Sequence, residues 1–318
     1  MKVRVFLPLT LAVACLMIAA PALAGGKVLF IDSYHEGYAW SDGIEQGIKK
    51  ALERSGAELK VVRMDTKRNP GEDFKKQAAE KVKVAIEEFK PNVVIAADDN
   101  ASKYVIEPYY KDKDLPIVFC GVNWDAGVYG FPAKNITGMV EVTPVDGLLA
   151  ELKKMAKGAK VGFLAPDILT GHKEAENVEK VFGLKMTSYF AKDAADWMKG
   201  FGELQGKVDM VIIDSDGGLW PETQKEREEF VLKNTKVPTG SAYEFMAPYA
   251  IITFAKVAQE QGFWAGKAAL DIIGGKSPSE IAVVKNKEGK LIINARIAKA
   301  SKLEVPYEVI SSADKVME

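Results

Sequence analysis

The chain is 318 residues long, with 47% hydrophobic and 27% charged residues and 43 basic against 44 acidic side chains. This composition describes a globular protein with room for two domains and excludes a disordered, collagen-like or disulfide-stapled chain. The near-even balance of charge leaves no basic footprint for a nucleic-acid partner.

Lys2 and Arg4 precede an apolar stretch over 5–20, and Ala22-Leu23-Ala24 supplies small residues for cleavage. These features predict a signal peptide over 1–24 rather than a membrane anchor, because the apolar run falls short of the roughly 20 residues that span a bilayer. Cys15 follows Ala12-Val13-Ala14, a poor context for lipid attachment, and cleavage after Ala24 leaves Cys120 as the single cysteine, so no intramolecular disulfide is expected. Taking Lys2 and Arg4 from the 43 basic residues leaves 41 against 44 acidic, a net charge of −3. The mature chain is expected outside the cytoplasm, periplasmic in a two-membrane cell, as a monomer with no stable membrane insertion.

From residue 26 onward, apolar strand-like runs alternate with amphipathic helices, the pattern of doubly wound α/β lobes. Strands are predicted at 27–32, 58–64, 92–97 and 115–120. A helix begins near Ser41, with Ile44, Ile48, Ala51 and Leu52 at helical spacing. Phe74, Ala78, Val82, Ala85, Ile86 and Phe89 form a second stripe, and Val105, Ile106 and Tyr109 a shorter one. A turn-rich stretch over 123–138 reads as a first crossing to a second lobe, ending in a short run over 139–142. Thr143 as N-cap, with Pro144 at the first helical position and Asp146 after it, announces a helix buried through Leu148, Leu149, Leu152 and Met155. The alternation then repeats, with strands near 159–165, 185–190, 208–214 and 236–240 and helices near 172–182, 193–204 and 221–233. The tail departs from it. A strand over 250–254 leads into a helix ending before Gly274-Gly275, strands at 281–284 and 291–294 flank a turn at 287–290, and a last helix near 295–302 gives way to an extended 305–307. The lobes are expected at 25–139 plus 255–277 and at 140–254 plus 278–318, the latter including the hinge return.

In an open parallel α/β sheet, ligands sit beyond the carboxyl ends of the strands. After the first strand, Ser33-Tyr34-His35-Glu36-Gly37-Tyr38-Ala39-Trp40 holds three large aromatic rings. Tyr34, Tyr38 and Trp40 either stack on a ligand or pack beneath the loop. Ser33 is placed to join helix-start amides in holding a carboxylate, while Ser41 reads first as an N-cap. Asp98-Asp99-Asn100 and Asn123-Trp124 follow the third and fourth strands, so Asp98, Asn100 and Asn123 are candidate contacts; the competing roles are helix capping and shaping the loop. Asp167, Asp214, Asp216 and Tyr243 follow strands of the second half. A carboxylate there suits a ligand ammonium. Asp214-Ser215-Asp216-Gly217-Gly218 equally fits a capped turn; as a calcium loop it fails, having Lys225 at the twelfth position where glutamate is needed. His35 with Asp32 or Glu36 lacks zinc-site spacing, and no catalytic triad, phosphate loop or cofactor motif stands out, so no catalytic, metal or cofactor residue is assigned.

The run QGFWAGKAALDIIGGKSPSEIAVVKNKEGKLIINARIAKASKLEVP, residues 261–306, resembles the closing segment of the tryptophan/tyrosine-type ABC-transporter substrate-binding proteins. Asn135-Ile136-Thr137-Gly138 followed by Thr143-Pro144 is similar to that family's entry into its second lobe, and Leu115-Pro116-Ile117-Val118-Phe119 to its fourth strand; the resemblance covers almost all of 27–310. It implies the type I periplasmic-binding-protein fold, two Rossmann-like α/β lobes joined by three hinge crossings. It also implies a non-enzymatic function, clamping a small ligand and handing it to an ABC permease; the placement of Ser33 in the first-lobe loop and of Asp214 in the second points to an amino acid or related zwitterion as that ligand. The aromatic loop after the first strand is instead similar to binding proteins allied with sensor kinases, so a sensory module acting on a receptor kinase is the second reading. Sugar binding is the third, with Trp40, Trp124 and Trp220 available to stack on a ring.

Overall fold

A computed structural model describes residues 25–216 and 218–318; the expected signal peptide and Gly217 lie outside the described residues. In chain order the elements are β1 (Lys27–Asp32), α1 (Ala39–Leu52), β2 (Glu58–Arg63), α2 (Glu72–Phe89), β3 (Val93–Ala97), α3 (Asp98–Ala101), β4 (Ile117–Asn123), β5 (Ile136–Glu141) and α4 (Val145–Lys153). They continue with β6 (Val161–Pro166), α5 (Leu169–Phe182), β7 (Met186–Ala191), α6 (Ala194–Leu204), β8 (Met210–Ile213), α7 (Gln224–Asn234), β9 (Thr239–Ser241) and β10 (Ile252–Lys256). The tail comprises α8 (Ala258–Ile273), β11 (Val284–Lys285), β12 (Gly289–Asn294), α9 (Ala295–Ser301), α10 (Tyr307–Ser311) and β13 (Lys315–Met317).

Two sheets organise two α/β lobes. The first has strand order β11-β5-β4-β3-β1-β2 and is parallel throughout; the second runs β13-β12-β10-β9-β8-β6-β7, with β10 and β12 antiparallel and every other pair parallel. Parallel sheets need cover on both faces. β1 shows how: Leu29 and Ile31 pack toward α2, while Val28 and Phe30 pack toward α1 and α8. The second lobe centres on Trp197 stacked on Phe201 at 5.7 Å between ring centroids.

The structure moves two of the expected crossings. β5 pairs with β4, so the turn-rich stretch is a connection over 124–135 within the first lobe and the first crossing is 142–144. Thr143 does not cap α4: Pro144 holds the cap position and the Thr143 hydroxyl donates to Glu174 of α5 in the second lobe. The two strands expected around 287–290 do not pair with each other. β11 joins β5 and β12 joins β10, so that turn is the last crossing, and 278–285 belongs with the first sheet rather than the second. The middle crossing is Val257, between β10 and α8.

The stripe of Val105, Ile106 and Tyr109 also changes. Residues Ser102–Tyr110 continue α3 with π-helical winding, so Lys111 N–H bonds Ile106 five residues back. The wider turn brings Tyr104 inward with Val105 and Ile106 and leaves Tyr109 exposed.

Candidate functional site

Cavities lined by both lobes lie where the carboxyl ends of the first-sheet strands meet those of the second. One, of about 320 Å³, is walled by Tyr34, Tyr38, Trp40, Lys67 and Asp98. Its neighbour, of about 430 Å³, is walled by Trp124, Thr143, Leu169, Lys173, Glu174 and Asn177. Asn123, Glu141, Tyr243 and Lys256 line both, so the two adjoin as halves of one cleft between the lobes.

The aromatic wall is built by the loop after β1. Tyr34 and Tyr38 meet edge to face at 5.3 Å, and the Lys67 ammonium lies 5.1 Å from each ring. Asp32 orders this loop, accepting from the Tyr34 amide at 2.8 Å and from the Ser41 hydroxyl at 2.7 Å. Ser41 therefore sits inside α1 and is not its cap, a position held by Tyr38. Trp40 Nε1 donates to Asp98 Oδ1 at 3.0 Å. Asp98 has φ of +68°, a left-handed conformation uncommon for a residue with a side chain and often found at functional sites. Gly121, itself at φ +67°, makes room for it: a Cβ there would stand 2.9 Å from Asp98 Oδ1.

Carboxylates dominate the electrostatics. Asp98 is 2% exposed, Glu141 5%, Glu174 9% and Asp214 5%. Burial, reinforced by the charge of Glu141, holds the Asp98 carboxyl well above the usual carboxylate range, and Asp98 Oδ2 has no hydrogen-bond partner among the described residues. The buried Glu141 forms an ion pair with the half-buried Lys256. Burial raises the Glu141 pKa despite that pairing; burial pulls Lys256 down, but Glu141, Glu174 and Asp98 together outweigh it and leave it raised. Glu174 accepts from Trp124 Nε1 at 3.0 Å, from Thr143 Oγ1 and, more distantly, from the Tyr243 hydroxyl at 3.4 Å. Asp214 is pushed up to about 8 by burial and by Glu174, against hydrogen bonds from the Ser215 backbone and Tyr243. The Tyr243 hydroxyl is raised by burial, with Asp214 and Glu174 adding to the effect.

The expected contact residues divide. Tyr34, Tyr38, Trp40, Asp98, Asn123 and Tyr243 stand in the cleft wall, with Asn123 Nδ2 donating to Asp99 Oδ2 at 2.6 Å. Asp214 lies beside that wall, bonded to Tyr243. Four others are committed elsewhere. Ser33 is fully buried, donating to Ala97 O at 2.6 Å and accepting from Ala101 N–H at 2.8 Å, so it joins β3 to α3 rather than meeting a carboxylate. Asn100 donates to Thr66 Oγ1 at 2.8 Å. Asp216 pairs at 2.8 Å with the buried Arg227, whose guanidinium lies 4.8 Å from the Tyr249 ring centre and 5.5 Å from those of Trp197 and Trp220. Asp167 is held at the surface by His172, 2.7 Å away. Among the described residues no group of three His, Cys, Asp or Glu is placed to hold a metal.

Glu141, Glu174 and Lys256 escaped the sequence reading. Two of them carry a signal: Glu141 interrupts the apolar Met139-Val140-Glu141-Val142, and Lys256 follows Ile251-Ile252-Thr253-Phe254-Ala255. A charge inside a buried strand needs a partner, and each is the other's. Glu174, on a polar helix face, carries no such mark.

A search of curated proteins returns no match. Among solved structures, one similar to this chain is the ligand-free, open form of a substrate binding protein with adhesive properties from Clostridium difficile, at 20% identity and a TM-score of 0.71, covering 92% of this chain and 99% of that one. An ABC domain from Streptococcus pneumonia in complex with L-Trp matches at 15% identity and a TM-score of 0.55, over 92% of this chain and 100% of its own. A periplasmic ribose ABC transporter protein from Conexibacter woesei matches at 15% identity and 0.56, over 90% and 98%. At these identities the likeness shows the fold, two α/β lobes of the type I periplasmic-binding-protein plan. The model of the ABC transporter substrate binding protein family matches residues 36–317, nearly the whole of the described chain, and the protein belongs to that family.

Proposed function

We propose that this is an exported solute-binding protein that closes its two lobes on an amino acid or related zwitterion and presents it to an ABC permease. The observation that carries the reading is the cleft wall itself. Tyr34, Tyr38, Trp40 and Tyr243 surround a space bordered by Asp98, Glu141 and Glu174, with Asp214 behind Tyr243. Rings supply contact area at low rotamer cost, and partly dry carboxylates reward an ammonium with charge-assisted hydrogen bonds. Cavities of this size suit a small molecule. Because the ligand would touch both lobes, it stabilises the closed arrangement by its differential affinity for it.

A sugar is the second reading, supported by Trp40 and Trp124 in the walls; Trp220 lies instead against Arg227. Titration calorimetry with a panel of amino acids and of pentoses and hexoses separates the two. The proposal expects an amino acid to bind and Asp98→Asn to weaken that binding by about 10-fold or more, the worth of one charged hydrogen bond. Heat from sugars alone, or from none of the panel, would overturn it.

A further inference from the structure

The cleft holds more carboxyl groups than one ligand ammonium requires. Of the lysines that line it, Lys67 and Lys173 stand exposed at its two ends, and the half-buried Lys256 is already committed to Glu141. On one side of that pair lies Asp98, 2% exposed and with an oxygen lacking any partner among the described residues, beside the three rings and Lys67. On the other lies Glu174, whose partners Trp124, Thr143 and Tyr243 are neutral donors that hold the carboxylate in place without cancelling its charge. The two ends are distinct cavities that adjoin at Glu141, Lys256 and Tyr243.

We propose that the ligand is a dibasic amino acid, with its carboxylate toward Lys67, its α-ammonium at Asp98 among the rings of Tyr34, Tyr38 and Trp40, and its side-chain cation at Glu174. This rests on the reading of the cleft as an amino-acid site and sharpens it to a charge class. Protein cations already stand over all three rings, Lys67 5.1 Å from Tyr34 and Tyr38 and Lys256 5.2 Å from Trp40, which holds Lys67 where it can meet the ligand carboxylate and leaves the α-ammonium to Asp98. An uncharged side chain reaching the far end offers the Glu174 carboxylate no countercharge, so it forgoes the charge-assisted hydrogen bond that a cationic one makes. Glu174 thus acts as the specificity-determining residue for the second charge.

The test compares ligands of nearly equal shape and different charge, by calorimetry on the purified full chain: arginine against citrulline, and lysine against norleucine. In each pair the cationic member is expected to bind about 10- to 100-fold more tightly, the range for a hydrogen bond to a charged group. Glu174→Gln keeps one oxygen to accept from Trp124, turns its amide N–H toward the Thr143 hydroxyl, which can accept, and removes the charge; it is expected to bring each ratio to within about 3-fold. A Glu174 that only supported the fold would leave the ratios unchanged, and that result overturns the assignment. The comparison in the unmodified protein stands even if the variant fails to fold. Equal or tighter binding of citrulline and norleucine, or tight binding of tryptophan with none of arginine or lysine, overturns the dibasic ligand while leaving an amino-acid site intact. A site that binds no amino acid overturns both.

Discussion

Asp214 illustrates what a single buried carboxyl does to the whole protein. Its pKa of about 8 in the folded chain, set first by burial and then by Glu174, stands far above the 3.8 of an exposed aspartate. Between those two values the folded state holds a proton that the unfolded state has released, so stability falls as pH rises through that window. Asp98 and Glu141, also raised by burial, act with the same sign. The ligand-free protein should therefore melt at progressively lower temperature as pH is taken from about 5 to about 8. Asp214→Asn should flatten that dependence, and thermal unfolding of both proteins over a pH series checks it; parallel curves would mean that Asp214 titrates normally. Asp216, two residues on, shows why neighbours in sequence do not share a role. It accepts from Arg227, and removing the arginine would strand a buried charge. The letters of Asp214-Ser215-Asp216 presented both carboxylates alike, and only a partner 11 residues away separates them.

At the level of elements, the contact of α1 with α8 positions the cleft from behind. α8 follows the middle crossing and returns to the first lobe, where glycines bring the two backbones together. A Cβ at Gly262 would lie 1.9 Å from Ile44 O, and one at Gly47 2.2 Å from Gln259 O. The same helix carries Glu260, whose carboxylate receives the amides of Lys287 and Glu288 at 2.8 and 2.9 Å, fixing the last crossing. Gly262→Ala should then cost about 1–3 kcal/mol, the usual penalty for forcing bulk into a packed contact. Gly202→Ala in α6, where the nearest atom is Phe230 Cζ at 3.9 Å, should be neutral or stabilise by up to about 1 kcal/mol. Urea unfolding of both variants measures the contrast, and equal effects would show that the helices can separate freely. The helical spacing of Ile44, Ile48, Ala51 and Leu52 marked α1 clearly. That α8, more than 200 residues later, covers the same face was not written in either segment alone.

For the whole molecule, three crossings and a few side chains govern how the lobes stand. Trp124 in the first lobe reaches Glu174 in the second at 3.0 Å and meets the Phe182 ring edge to face at 6.5 Å. Trp124→Phe keeps a ring but removes that donor without touching either sheet. Its cost in global stability should stay within about 1.5 kcal/mol, the net worth of one hydrogen bond. The radius of gyration of the ligand-free chain, by small-angle X-ray scattering, should increase as the lobes lose a tie. An unchanged radius would show that the crossings alone set the arrangement.

The sequence by itself determined the alternation of strand and helix and the parallel sheets, because burial on both faces writes continuous apolar runs into strands such as β1 and β3 and a 3.6-residue stripe into the helices; the family was legible only by resemblance, above all that of the closing run over 261–306. It also pointed to the mouth of the cleft, since the ends of parallel strands are where such folds bind. Only the tertiary structure decided which polar residues there are free to meet a ligand. Ser33 is taken by Ala97 and Ala101, Asn100 by Thr66, Asp216 by Arg227 and Asp167 by His172, while Glu141, Glu174 and Lys256 come to the cleft from segments up to 115 residues apart. A polar side chain's role depends on whether its hydrogen bonds are already filled, and the partners that fill them are set by packing across the fold rather than by adjacent letters.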